Sequence, residues 1–269
     1  MTQISGSTRI FGIIADPVAQ VKTPQGINRI ARERGVDSVM VPLHVASEGL
    51  AAAFAGLRTI KNFGGMIVTV PHKEAAVNLC DDVSARGRLV GAINAVRREP
   101  DGRLLGDIFD GIGFVTGLER NGVSLRGSRV YLAGAGGAAK AIAFALAEAN
   151  VAAITIFNRS AEKAEALARR LREQRPDLIT RVGSPDPAGH DLIVNGTSLG
   201  LKADDPLPFD TTRLTAEMTV AEIIMEPEVT PLLAAARQRG SRIHFGKPML
   251  ESQLDLMASF MGVTAPAAA

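Results

Sequence analysis

Short β-branched runs alternate with helix-length stretches through most of this chain, and that alternation is what most constrains its fold. TRIFGII precedes a helix expected from about Pro24, SVMVPLH one from about Ser47, and MIVTV one from about His72. Alternation of this kind builds parallel sheets through right-handed crossovers, so the expected class is α/β. The stretch AINAVRREPDGRLLGDIF breaks the pattern, because two strand-like runs flank the turn formers Pro100, Asp101 and Gly102. It reads as a hairpin that ends a first lobe. A helix from about Gly111 to Arg120 opens a second lobe, followed by RVYLA, AAITIF, DLIVN, MTVAEII and SRIHF with helices or loops between them. Five or six further strands suit a doubly wound Rossmann-type sheet. The expected division is residues 1–104 with 246–269 as one domain and 105–245 as the other, with a last helix, about Pro248 to Phe260, returning to the first lobe. The tail VTAPAAA is expected to fray.

Composition narrows the partners. The chain has 269 residues, with 30 Lys and Arg against 28 Asp and Glu. A net charge of +2 without a basic tract or acidic tail gives no reason to expect nucleic acid, so a small-molecule partner is expected. Cys80 is the only cysteine, and the four histidines do not fall at metal-ligand spacings, so no structural metal is expected. No apolar run approaches the length of a membrane span and the N-terminus does not read as a signal peptide, so a cytoplasmic location is expected.

Residues 134–139 read GAGGAA, after the strand RVYLA and before the helical KAIAFALAEA. That setting is the one a dinucleotide fingerprint requires. Gly134 permits the tight turn, Gly136 lets a pyrophosphate approach the backbone, and Ala139 keeps the helix close to the sheet. The helix N-terminus supplies amide donors for the phosphates. At the end of the next strand, where an acid would bind the ribose of NAD, the chain reads Asn158, Arg159, Ser160. Arg159 suits a 2′-phosphate, with Ser160 and Lys163 adding a hydrogen bond and charge, so NADP is the expected cofactor. Lys73 follows the apolar run MIVTVPH, where open α/β sheets keep their ligands, although position alone favours a solvated lysine.

Taken together and in order, G-x-x-x-D-P at 12–17, TP at 23–24 with Asn28, VTVPHK at 68–73, GAINAV at 91–96, DGIG at 110–113, GAGGAAKA at 134–141, NRS at 158–160, NGTSLG at 195–200, TPLL at 230–233 and GKPMLESQ at 246–253 resemble the shikimate dehydrogenase family over nearly the whole chain. The resemblance implies a substrate lobe, an NADP lobe and an active site in the cleft between them. It implies that Lys73 and Asp110 flank the reacting hydroxyl, and that Thr23, Thr69, Asn94 and Gln253, with Val21 at a departed position, line the substrate. Gly134, Ala135, Gly136, Gly137 and Ala138 of the glycine turn, with Asn158, Arg159, Ser160 and Lys163, are the expected cofactor residues, and the resemblance adds Asn195, Thr197, Ser198 and Gly246 beside them. The implied reaction is NADP-dependent oxidation of shikimate or a related ring hydroxy acid such as quinate, by a monomer or homodimer. The competing reading is a ligand sensor that keeps the fold without turnover; retention of Lys73 with Asp110 favours the enzyme.

Three positions depart from the family pattern. The family commonly reads H-S-x-S-P where this chain reads Q-V-K-T-P at 20–24, so Val21 replaces one of two hydroxyls that hold the substrate carboxylate and Thr23 retains the other. Met225 stands where a tyrosine is frequent, and Ile108 and Phe109 precede Asp110 where N-T is usual. The expected reaction persists, while substrate preference is expected to shift.

Overall fold

The computed structural model describes residues 4–202 and 204–264, and divides the chain into two compact units. The first runs through Phe109 and resumes at Gln253; the second is Asp110–Ser252.

The first unit carries β1 (Arg9–Ala15), α1 (Thr23–Glu33), β2 (Ser38–His44), α2 (Leu50–Thr59), β3 (Phe63–Val68), β4 (Asp82–Val83), α3 (Ala85–Val90), β5 (Ala95–Arg98) and β6 (Leu104–Asp107). Its sheet order is β2-β1-β3-β5-β6-β4. The strands β1, β2 and β3 are parallel, whereas β5 runs antiparallel to both β3 and β6, as the expected hairpin. This hairpin moves the domain limit from residue 104 to Phe109, because β6 is held by β5 in the first sheet. Phe11, Ile13, Ile14, Met66 and Val68 are almost wholly buried, as strands covered on both faces require.

A helix expected from about His72 is instead a short 3-10 turn, Ala75–Leu79. The cause is a diverted acceptor: the Lys73 carbonyl accepts the Ile93 amide at 2.9 Å, while Val77 N–H turns to Glu74, three residues back. The strand β4 and helix α3 had no clear periodic signal at two and six residues. The tail begins more firmly than expected: Val263 is buried and its carbonyl accepts from Arg34 Nη1 at 2.6 Å. Residues 265–269, the rest of that tail, lie outside the described residues.

The second unit carries α4 (Asp110–Arg120), β7 (Arg129–Ala133), α5 (Gly137–Glu148), β8 (Ala153–Phe157), α6 (Ala161–Gln174), β9 (Ile179–Val182), β10 (Leu192–Asn195), β11 (Thr219–Glu222), α7 (Pro231–Gln238) and β12 (Arg242–His244). The final helix α8 (Lys247–Phe260) contains the limit between the units. The second sheet is parallel throughout, in the order β12-β11-β10-β7-β8-β9. Strand β7 lies between β10 and β8, so the chain reverses its direction of growth there, and ligands of open α/β sheets gather at the carboxyl side of such a point. Tyr131 of β7 is fully buried among Phe157, His190 and Phe209, and its hydroxyl donates to the Ser184 carbonyl at 2.9 Å.

Candidate active site

In the first unit the predicted substrate residues emerge from one edge of the sheet. Ile14 of β1 pairs with Val68 of β3, so the segments after both strands leave side by side. They are tied together there: Thr69 N–H donates to Ile14 O at 3.1 Å and Asp16 N–H to Val70 O at 3.1 Å. The first segment leads to half-buried Val21 and buried Thr23, the second to half-buried Thr69 and Lys73. Gln20 donates one amide N–H to the Pro17 carbonyl at 2.7 Å, which ties it back to the preceding turn.

Lys73 is held at its backbone by Ile93, and the next residue, Asn94, is the centre of a hydrogen-bonded cluster. Buried Asn94 accepts the Phe109 amide on Oδ1 at 2.9 Å and donates Nδ2–H to Gln253 Oε1 at 3.1 Å. Its backbone is fixed as well, since Val68 N–H donates to Asn94 O and Asn94 N–H to Asp107 O, both at 2.9 Å. Three predicted residues, Lys73, Asn94 and Gln253, are thereby linked within one unit. Asp110, the first residue of α4, is buried and follows Phe109 directly.

Two neighbours of the predicted residues do supporting work that sequence reading missed. His72 is buried and donates Nε2–H to the Val45 carbonyl at 2.7 Å, which pins the turn that carries Lys73. Asp107 is buried and takes a bidentate ion pair from Arg86 at 2.7 and 2.5 Å, with Ser84 Oγ also donating to it. Arg86 lies over the Phe109 ring at 4.5 Å, so the residues leading to Asp110 are clamped on both sides. A lone aspartate in LLGDIF gives no sequence signal for that role.

The second unit presents the dinucleotide motif at the carboxyl edge of β7. Gly134 has φ +114, and a Cβ there would come within 2.8 Å of Gly196 O, so the turn and the close approach both require glycine. A Cβ on Gly136 would meet nothing within 4 Å, so an open face lies above the backbone at the start of α5, as a pyrophosphate needs. Ala133 pairs with Phe157, which places Gly134 beside Asn158 and the residues that follow β8. Asn158 donates to Ser160 O at 2.9 Å and Ser160 Oγ to Glu162 at 3.1 Å. Arg159 and Lys163 are exposed, and among the described residues neither side chain has a hydrogen-bond or ion-pair partner. Two unspent cations beside an open glycine turn fit a 2′-phosphorylated adenosine.

Across β7, the loop after β10 is internally locked. Asn195 Oδ1 accepts from Thr197 N and Oγ1 at 3.0 and 2.7 Å, and Thr197 Oγ1 accepts the Leu199 amide at 3.0 Å. Gly246 is buried against the backbone of Ile223 and Ile224, where a Cβ would lie 2.3 Å from Ile224 O. Ser198 follows in the same loop and is exposed, between half-buried Thr197 and Leu199. Among the described residues no group of three His, Cys, Asp or Glu could hold a metal ion, and no helix is long and apolar enough to cross a membrane.

Comparison with known proteins agrees with both halves of this arrangement. Residues 13–96 match the shikimate dehydrogenase substrate binding domain, and residues 118–183 match the family described as shikimate / quinate 5-dehydrogenase. The shikimate dehydrogenase (NADP(+)) of Acidiphilium cryptum is 40% identical over 262 residues, covering 97% of this chain and 93% of its own length. Among solved structures, shikimate 5-dehydrogenase of Thermus thermophilus in complex with NADP(H) and shikimate is 30% identical, with a TM-score of 0.84 over 97% of this chain and 95% of that one. The ligand-free 5-ketofructose reductase of a Gluconobacter strain is 31% identical, with a TM-score of 0.83 over 98% of this chain and 96% of that one. With the lysine, asparagine and glutamine in one unit, the glycine turn and the exposed arginine in the other, and likeness along nearly its full length, the chain belongs to the shikimate dehydrogenase family.

Proposed function

We propose that this protein is an NADP-dependent oxidoreductase that interconverts shikimate, or a closely related ring hydroxy acid such as quinate, with the corresponding ketone. NADP supplies the hydride acceptor. The chain's own residues do the rest. Lys73 and Asp110 hold the substrate hydroxyl and accept its proton as the oxygen becomes a carbonyl, and in the reverse direction they return it. Lys73 is suited to stabilising negative charge on that oxygen during transfer. Asn94 and Gln253 orient the ring, while Thr69 and Thr23 offer hydroxyls from the same sheet edge. The turn 134–138 takes the pyrophosphate, Arg159 and Lys163 the 2′-phosphate, with Asn158 and Ser160 shaping that corner. Asn195, Thr197, Ser198 and Gly246 form the nicotinamide end.

The observation that carries the reading is the link from Lys73 through Ile93 to Asn94 and on to Gln253, because it brings three residues from distant parts of the chain to one spot. The test is reduction of NADP monitored by absorbance across shikimate, quinate and related ring acids. No turnover with any of them at high concentration would count against it.

Val21 favours a second reading of the substrate alone. A hydrocarbon in place of a hydroxyl at Val21 weakens the grip on a carboxylate. A neutral polyhydroxy ketone loses less from that change, and one similar protein reduces a keto sugar by its name. Faster reduction of such a ketone than of 3-dehydroshikimate would favour this second reading.

A further inference from the structure

Glu222 ends β11, is fully buried, and is not among the residues given a role above. Its carboxylate is met only by donors in the hydrogen bonds around it. Asn195 Nδ2 lies 3.1 and 3.0 Å from its two oxygens, the Ile223 and Ile224 amides reach Oε1 at 2.8 and 3.2 Å, and Thr230 Oγ1 reaches Oε2 at 3.0 Å. A carboxylate is the side chain that accepts from all of these and donates to none. Asn195 has no freedom to reverse its amide, because its Oδ1 already accepts from Thr197.

Three pieces of the sheet's carboxyl edge therefore converge on one group. The first is the 195–199 loop after β10. The second is the 223–224 backbone, which is the wall that packs against Gly246. The third is Thr230, which also caps α7 through the Leu233 amide.

We propose that Glu222 is a positioning residue for the nicotinamide end of the cofactor site, setting the 195–198 loop and the 223–224 backbone in their working geometry. The proposal rests on the cofactor reading given above. It separates from a purely structural role because the adenosine end is built elsewhere, on the residues after β8, on the other side of β7.

The experiment compares Glu222→Gln and Glu222→Asp with the parent protein, measuring turnover of NADP with shikimate and equilibrium affinities for NADPH and for adenosine 2′,5′-bisphosphate. In Glu222→Gln an NH2 replaces one acceptor and faces donors. The advantage of NADPH over the bisphosphate should fall about tenfold or more, while bisphosphate affinity itself holds within about twofold. Turnover should fall in step, and Glu222→Asp should recover part of both. Equal losses of NADPH and bisphosphate affinity, or no loss of either, would overturn the proposal. Should Glu222→Gln fail to fold, Glu222→Asp carries the same comparison, because its shorter carboxylate cannot span all the donors. The affinity ratio needs no turnover, so it decides the role of Glu222 even if shikimate is not the substrate. A parent protein that binds neither nucleotide would instead sink both the cofactor reading and this proposal, a pattern distinct from loss confined to the variants.

Discussion

Asn94 and Gln253, 159 residues apart in the chain, meet through a buried hydrogen bond of 3.1 Å, and the same asparagine holds the amide of Phe109. Replacing Asn94 by alanine strands that buried amide, which costs about 1–3 kcal/mol of stability. It also frees Gln253, so KM for substrate should rise as well. Gln253→Ala leaves the Phe109 bond intact and should raise KM with a smaller loss of Tm. Equal Tm losses in the two variants would show that the Phe109 bond is not the larger contribution.

Lys73→Ala should lower kcat by about two to four orders of magnitude, the usual range for a positioned proton-handling group. Affinity for NADPH should stay close to that of the parent, because the nucleotide is assigned to other residues. Steady-state rates alongside direct NADPH titration make the comparison. Parallel losses would remove Lys73 from the chemistry.

Arg159 is exposed and unspent, so its replacement has little to break in the free protein. Arg159→Ala should weaken NADP by about tenfold or more, as loss of a charge-assisted bond predicts, and leave NAD nearly unchanged. The ratio of kcat/KM for the two cofactors is the measurement. A ratio that does not move would place 2′-phosphate recognition elsewhere.

Val21→Ser restores a hydroxyl beside Thr23. If the substrate is a carboxylic acid, its KM should fall by about tenfold, the value of one hydrogen bond to a charged acceptor. A neutral keto sugar should gain nothing. An unchanged shikimate KM would mean that Val21 does not face the carboxylate.

Burial, reinforced by the Asp81 charge, pushes the Cys80 thiol from 9.0 up to about 12, against the pull of Arg58. A group whose folded value is raised contributes stability that is complete below its unfolded value and is lost as pH rises through the folded one. Wild-type stability should therefore decline relative to Cys80→Ala between pH 9 and about 12. Urea denaturation of the two proteins along that range tests it, and parallel curves would refute it. At neutral pH the thiol should react slowly with iodoacetamide, because little thiolate is present.

Much of the fold was legible because strand and helix periods alternate cleanly. Gly134 and Gly246 are legible for a different reason: each stands where backbone comes within contact distance of backbone, and only glycine fits. What did not show was anything decided by a remote partner. The residues after His72 have helical composition, yet the Lys73 carbonyl goes to Ile93, twenty residues on, and the helix does not form. Glu222 sits inside the apolar run TVAEII with no periodic cue, and its importance comes from Asn195 and Thr230, which reach it from other segments. His72, Asp107 and Arg86 are hidden for the same reason, since each acts on the placement of a neighbour.

The first unit is assembled from both ends of the chain. Arg9 donates to the Gly262 carbonyl, Arg34 to that of Val263, and Asn94 to Gln253. On a ribosome, everything from Asp110 to Ser252 is available to fold before Gln253 and the residues after it emerge. The first unit is thus the last to be finished, and the residues proposed to bind substrate are completed only after the unit proposed to bind the nucleotide has been made. Nascent chains halted short of Gln253 should therefore capture nucleotide before they acquire a finished place for the acid.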